Sequence, residues 1–494
     1  MSAPTPLAHP SALDSLFASS TRRYACTENA ERGVHLEPLL NAAERGLDFL
    51  TVIAAVYSAY ALYQVTGAGK QAQYATSTVL VAAAGFALLF VLLLERHGGY
   101  CRYLSLLAVR DTERILRVTI KSFLLALVAA YFLHASVSRL VLLFSSLTVP
   151  LFLMLQKWEV YNAVRMLRSK GYGARRVVIY GAGTLGKRIY SALVRSPKLG
   201  LDPVAFVDDD PQKWELEVYE SSYRRKRPAK VVAGPVCPEL LRDLGASVLV
   251  IAVPGLSREA MMSAIGGLSA AGVSSYFVPE DLAGPGYWID YDELDGMVLA
   301  HLSKVRTRFF YEIAKRCLDM TVSAASLVFL APLLALIAAL IKLTSSGPAL
   351  FLQDRVGKDG RVFPMYKFRT MFPGAPNYAY SPRGGRDPRI TPLGRFLRHT
   401  SLDELPQLAN VLFGDMSLVG PRPEMPFIVA QYTPLQLQRL AVKPGITGLW
   451  QMSADRAFLI HQNIEYDLYY ARHRSLAMDI AILLHTVLFA ARGI

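Results

Sequence analysis

The sequence predicts a multi-domain membrane protein: a four-helix transmembrane bundle, a Rossmann-like α/β domain, and a mainly α C-terminal domain carrying a re-entrant membrane helix. Three observations carry that expectation. Of the 494 residues 52% are hydrophobic, mean hydropathy is positive, and the apolar residues gather into long uncharged runs. A glycine-rich turn separates a strand-like from a helix-like segment in mid-chain. One further apolar run, interrupted by a proline, is basic on both sides.

Residues 1–48 lack the short apolar core and small-residue cleavage site of a signal peptide and read as a cytoplasmic N-terminal segment. Uncharged runs from Phe49 to Val65, Tyr74 to Leu94, Ser122 to Ser138 and Leu140 to Gln156 each approach the ~20 residues of a spanning helix, so 49–157 is expected to hold four. The loop after the second run carries Arg96, Arg102, Arg110, Arg114, Arg117 and Lys121, whereas those after the first and third carry Lys70 and Arg139. The positive-inside rule then puts both ends of the bundle in the cytoplasm. The net charge of +14 is largely juxtamembrane and favours anionic lipid over nucleic acid as partner. "YRRKRPAK", from Tyr223, comes with no recognition motif and reads as a solvated loop. Cys26, Cys101, Cys237 and Cys317 are too scattered for a metal pair or disulfide framework.

Residues 172–285 read as a doubly wound α/β domain. "RRVVIYGAGTLGKRIYSALV" places a buried-type strand, the turn Gly181-x-Gly183-x-x-Gly186 and a helix in order. "PVAFVDDDP" adds a strand ending at Asp208 and Asp209, where such folds supply an acid for a ribose, and "ASVLVIAVP" and "VSSYFVP" continue the pattern. Gly181, Gly183, Gly186 and Asp208 therefore form a candidate nucleotide site, although the glycines equally suit a tight turn and close helix packing. Residues 286–310 read as a linker.

Met320 to Ile341 is long enough to span, but Pro332 interrupts it. Lys304, Arg306, Arg308, Lys315 and Arg316 precede it; Lys342, Arg355, Lys358, Arg361, Lys367 and Arg369 follow. Both ends favour the cytoplasmic face, as a helix that dips in and returns would satisfy.

Downstream, "TSLDELPQLANVLFGDMSLVGPRP" sets Asp403 and Glu404 at a helix start. Ser401-x-x-Glu404 matches a capping box; with Asp403 as N-cap instead, Pro406 falls in the first turn, where its missing N–H costs nothing. Either register leaves two carboxylates where phosphates also settle. At ~4 Å and an effective dielectric of ~20, a like-charge pair costs roughly 4 kcal/mol, so a carboxylate meeting a diphosphate needs cations. Lys367, Arg369, Arg395, Arg398 and Arg422 are the candidates, arginine suiting phosphate by its planar fork. A carboxylate attacking phosphorus forms an acyl phosphate, and Mg2+ bridging Asp403 to phosphate would lower the repulsion.

"KFRTM", "TSLDELPQLANVLFGDMSLVGPRP" and "KPGITGLWQ" resemble the signature of the bacterial sugar transferases, the monotopic phosphoglycosyl transferases, and the order of segments resembles their large form, that of undecaprenyl-phosphate galactose phosphotransferases. The resemblance implies that 311–494 is the catalytic domain. It also implies transfer of a hexose 1-phosphate from a UDP-sugar to undecaprenyl phosphate, with Mg2+ as cofactor, on the cytoplasmic face of the bacterial inner membrane, in a homodimer. By position, Asp403 becomes the nucleophile and Glu404 its partner. Lys367, Arg369, Arg398 and Arg422 match phosphate-facing positions, Pro332 the turn of the re-entrant helix over 320–341, and Asp467 and Asp479 acidic positions of the substrate site. Asp479 reads equally as an N-cap.

Two other readings compete. Tyr311-x-x-x-Lys315, together with the glycine turn, suits a membrane-anchored NAD(P)-dependent sugar-nucleotide epimerase or dehydratase, although aromatic and basic residues are ordinary anchors beside a membrane segment. A non-catalytic scaffold for polysaccharide assembly would leave the dense acidic and basic motifs without a role.

Overall fold

The computed structural model describes residues 27–67, 73–100, 108–132, 138–169, 175–195, 200–218, 228–253, scattered positions of 259–268, 272–277, 287–294, 297–304, 308–374, 387–452 and 464–490. Arg102, Lys70, most of the "YRRKRPAK" loop, Cys26 and Cys101 lie outside them. The chain divides into two compact units, residues 1–47 with 158–280, and 48–157 with 281–494.

The N-terminal apolar runs form α1 (Thr27–Thr66), α2 (Thr76–Arg96), α3 (Ala108–Phe132) and α4 (Arg139–Ser169). With one C-terminal helix, they make five helices long and apolar enough to cross a membrane among the described residues. Val52, Ala55, Ala87, Phe90, Ile115, Val118, Val149 and Leu153 pack into their shared core. At one end Asp48, fully buried, accepts hydrogen bonds from Tyr100 (2.8 Å) and Lys157 (2.6 Å), so the buried carboxylate is paired.

The third helix begins earlier than its uncharged run implies: Arg110, Arg114, Arg117 and Lys121, expected in a loop, lie on α3. Their three- and four-residue spacing puts them along one side of a helix, and Glu113 pairs with Arg117 one turn away. Marking a helix by its absence of charge misses such an amphipathic first half.

In the middle unit, β1 (Arg175–Tyr180), α5 (Thr184–Arg195), β2 (Leu201–Asp208), β3 (Glu217–Val218), β4 (Ala229–Ala233), α6 (Pro238–Asp243), β5 (Val248–Ile251) and β6 (Ser274–Phe277) follow in order. They build a Rossmann-like α/β region with sheet order β3-β4-β2-β1-β5-β6, parallel except for β3 against β4. Alternate residues of the central strands enter two separate cores: Val177, Ile179, Val248 and Val250 on one side, Val178, Leu249 and Ile251 on the other. Burial on both faces is why these strands read as unbroken apolar runs.

The expected linker is partly structured, because β7 (Tyr287–Leu294) and β8 (Met297–Lys304) form an antiparallel hairpin. An Asp-Gly pair between two runs rich in β-branched and aromatic residues is its sequence signal.

The C-terminal part opens with α7 (Phe309–Thr344), one helix containing Pro332. A hairpin of β9 (Leu350–Val356) and β10 (Val362–Phe368) follows, then α8 (Pro392–His399), α9 (Gln407–Phe413), β11 (Ser417–Val419), β12 (Gly445–Thr447), α10 (Glu465–His473) and α11 (Leu476–Ala490). Its core gathers Phe363, Met365, Val411, Leu418, Tyr470, Met478 and Ile482, and Val109 of α3 joins them. Glu113 of α3 accepts from Ser475 at 3.0 Å, and Thr112 meets His485 at 2.9 Å, so α3 is seated along α11.

Candidate active site

Asp403 and Glu404 do not cap a helix. Ser401 is left-handed (φ 56°), the two carboxylates lie in a 3-10 turn over Leu402–Glu404, and the next helix starts after Pro406, its N-cap residue. Neither register read from the sequence forms. A left-handed residue reverses the chain before the helix can begin, which frees both acids from capping.

Three fixtures hold that turn. Asn410 of α9 clips onto β10, its Nδ2 donating to Pro364 O (2.8 Å) and its Oδ1 accepting from Tyr366 N (3.0 Å). Arg316 of α7 donates to the carbonyls of Val411 (2.7 Å) and Leu412 (2.9 Å) at the other end of α9. On the incoming side Thr391 caps α8 by accepting from Gly394 N at 2.9 Å. A Cβ on Gly394 would stand 2.1 Å from Thr370 O, so only glycine lets α8 approach the "RTM" segment this closely. Arg398 Nε then reaches Thr370 Oγ1 at 2.8 Å.

This scaffold sets Glu404 between two cations. Its Oε1 accepts from Lys367 Nζ at 2.7 Å and from Arg422 Nη2 at 2.8 Å. Burial alone would raise the Glu404 carboxyl, but Arg422 and Lys367 outweigh it and hold the group well below the usual carboxylate range. Asp403, 8% exposed, makes no hydrogen bond or ion pair among the described residues. Burial pushes its carboxyl up, Lys367 pulls it back, and the charge on Glu404 adds to the rise. Adjacent acids thus diverge: one is fixed as an anion by its partners, the other is unengaged and more basic.

The remaining basic candidates separate. Arg398 is near enough to Asp403 to lower its carboxyl, and Arg395 is exposed on α8. Arg369 does not face the dyad: it donates to Ser345 O (2.9 Å), Ser345 Oγ (2.8 Å) and Ser346 O (2.6 Å), closing the C-terminal end of α7. Carbonyls left over at that helix end attract a guanidinium as a phosphate would.

Asp467 and Asp479 are interior groups. Asp467 pairs with Arg439 at 2.7 Å, each side chain 2% exposed. Asp479 neither caps nor faces solvent; it accepts from Tyr311 (2.9 Å), Lys315 (3.0 Å) and Tyr470 (2.7 Å). Those contacts also account for Tyr311 and Lys315, which serve as a buried anchor between α7 and α11. Arg439 has no motif to mark it in the sequence, and Arg355 reads there only as one of the basic residues flanking the membrane segment. Burial, reinforced by the neighbouring Arg422, pulls Arg355 down to about 10 against the opposing pull of Glu424 and Glu404, which places it in the same electrostatic field as the dyad.

In the middle unit the glycines have different reasons. Gly181 has φ +107°, and a Cβ on Gly186 would lie 1.9 Å from Gly181 O, whereas Gly183 has open space beside it. The Asp208 carboxylate is engaged at home, accepting from Ala182 N (2.7 Å) and Asp210 N (3.0 Å) and pairing with Lys213 (3.2 Å). Burial works against its ionisation, but those donors hold it below its ordinary value.

Comparison with known proteins gives two family matches. Residues 310–493 match the family described as bacterial sugar transferase, and residues 95–227 match one described as a CoA-binding domain. The chain is 31% identical over 331 residues to a UDP-glucose:undecaprenyl-phosphate glucose-1-phosphate transferase of Klebsiella pneumoniae, covering 65% of this chain and 68% of that one. It is 33% identical over 371 residues to an undecaprenyl-phosphate galactose phosphotransferase of Salmonella typhimurium, covering 69% and 72%. An exopolysaccharide production protein, PSS, of Rhizobium leguminosarum is 41% identical over 187 residues, which span 35% of this chain but 94% of the relative.

Proposed function

This chain belongs to the bacterial sugar transferase family, and from that premise we propose that it moves a hexose 1-phosphate from a UDP-sugar to undecaprenyl phosphate, releasing UMP, as the first membrane step of polysaccharide biosynthesis. It is a transferase and a membrane protein.

The observation that carries the chemistry is the unequal engagement of the two acids. A nucleophile must have an unencumbered lone pair, and Asp403 has one; Glu404 is spent on holding Lys367 and Arg422 in place. In the first step an Asp403 carboxylate oxygen attacks the phosphorus bearing the sugar. The bond from that phosphorus to the bridging oxygen breaks, and UMP departs with the electron pair, its charge met by the cations gathered at Glu404. In the second step a phosphate oxygen of undecaprenyl phosphate attacks the same phosphorus and returns Asp403 as carboxylate.

Among the described residues no cluster of three potential metal ligands exists, so the donor set suits only an ion that takes most of its ligands from water and substrate phosphate. Mg2+ fits that description; Asp403 would hold it, and when bound it would neutralise diphosphate charge.

The membrane reading is of a re-entrant α7. Asp319, in its first half, accepts from Leu418 N at 3.1 Å, and Ile337 and Ile341, in its second half, pack with Ala349, Phe368 and Leu397. Between them Val328, Phe329 and Leu336 are exposed. Both stretches rest on the same C-terminal domain, which supports one membrane face for both, since a bilayer core is ~30 Å thick. With the basic flanks, this favours the cytoplasmic face of the inner membrane for the active site. A homodimer is our working expectation for the assembly.

Trapping tests the mechanism. Enzyme, Mg2+ and UDP-sugar without lipid should leave a phosphosugar on Asp403, found by peptide mass analysis and discharged by undecaprenyl phosphate. UMP appearing only after lipid is added, with no adduct under rapid quench, would instead mean direct transfer in a ternary complex.

A further inference from the structure

Arg422 stands in a segment whose backbone is tied down residue by residue. Gly420 N donates to Thr447 O (2.9 Å), Pro421 O accepts from Gly445 N (2.8 Å), and Glu424 O accepts from Val356 N (2.9 Å). The two carbonyls between, with no strand to pair them, are each taken by an arginine: Arg439 Nη2 donates to Arg422 O at 2.7 Å, and Arg355 Nη1 donates to Pro423 O at 3.2 Å. Arg439 is itself held by Asp467 at 2.7 Å and donates through Nη1 to the Tyr432 hydroxyl.

We propose that the buried Arg439–Asp467 ion pair is the positioning device of Arg422, fixing its backbone so that its guanidinium meets the diphosphate of the sugar donor in one register. The inference rests on the reading of Arg422 as a phosphate-holding residue. A buried ion pair is poor evidence of stabilisation, because its desolvation offsets its attraction, so its retention here calls for another account. That account is geometric. A guanidinium has enough N–H groups to serve a carboxylate, a hydroxyl and a main-chain carbonyl at once, which a lysine ammonium on a flexible stem does not reproduce in the same plane. Asp467 thereby acts on substrate through two arginines and touches neither substrate nor lipid. With the loop fixed beforehand, little ordering remains to oppose binding.

The test uses the full chain in detergent, with UDP as the binding probe and UMP release from UDP-glucose and UDP-galactose as the activity readout. Arg439→Lys keeps a charge beside Asp467 but loses the fork; Tyr432→Phe loosens the same guanidinium with its charge intact; and Arg439→Met with Asp467→Leu replaces the pair by apolar groups of similar size. Arg439→Lys and the apolar pair should weaken UDP binding roughly tenfold in protein that still unfolds at the wild-type temperature, with a smaller effect for Tyr432→Phe. Added to Arg422→Ala, each should weaken binding no further, because the residue it positions is gone. Additive losses in that background would make the pair merely structural and overturn the inference, as would undiminished UDP binding in folded variants. Failure of wild-type protein to bind UDP, or undiminished binding by Arg422→Ala alone, would strike down the reading of Arg422 itself, and the inference with it.

Discussion

Lys367 Nζ lies 2.7 Å from Glu404 Oε1, joining the sixth strand position of β10's "VFPMYKF" to the turn before α9, and Arg422 reaches the same oxygen at 2.8 Å. One carboxylate oxygen therefore organises both cations, leaving Asp403 beside them without a partner of its own.

Glu404→Gln keeps the shape but removes the charge that compensates Lys367 and Arg422, leaving two cations close together. Stability should fall by roughly 1–3 kcal/mol, and UMP release should fall with it. Thermal unfolding of the full chain in detergent checks the first. Asp403→Asn, by contrast, should abolish transfer, by at least about 10³-fold, without lowering the unfolding temperature, because no hydrogen bond of Asp403 is lost. Equal thermal penalties for the two substitutions would contradict the division of roles.

The acid limb of the rate should report Asp403. It must be ionised to attack, and its carboxyl is raised by burial, so activity is lost as pH falls through a midpoint above the ordinary aspartate value of ~3.9. Glu404, depressed by its cations, stays ionised throughout that window. A pH profile of kcat/KM with its acid midpoint at or below the ordinary value would count against this assignment. For folding the signs are opposite: raised Asp403 favours the folded protein as pH falls, whereas depressed Glu404 contributes stability above its unfolded value that is lost as pH drops through its folded one.

Gly394→Ala brings a methyl group to 2.1 Å from Thr370 O, and neither backbone can yield cheaply. The expected cost is about 1–3 kcal/mol, accompanied by loss of activity, since α8 carries Arg398 and leads into the dyad. Unchanged unfolding temperature and turnover would mean that α8 can back away from the "RTM" segment.

Cysteines placed at Lys304 and Arg361 flank α7. If it is re-entrant, an impermeant thiol reagent applied from outside the cell should label neither, and both should react once the membrane is opened. Labelling of the Arg361 site alone from outside would show that α7 spans.

The sequence alone determined the features governed by local composition. Runs such as Tyr74 to Leu94 must leave water whatever surrounds them, and "RRVVIYGAGTLG" can satisfy its glycines and its apolar strand in few ways. The acids and bases of "TSLDELPQL" and "VGPRP" were likewise visible as types. Only the tertiary structure decided their roles. Arg369 and Arg422 look alike in sequence, yet one closes a helix end and the other pairs with Glu404. Asp403 and Glu404 are neighbours that read as caps until a left-handed Ser401 turns the chain. Arg439 has no local signature, because its partners, Asp467 and the Arg422 carbonyl, are 28 and 17 residues away along the chain. Charge and hydropathy belong to a residue, whereas a pairing depends on which backbone groups packing brings within about 3 Å, and that distance is set by the whole fold.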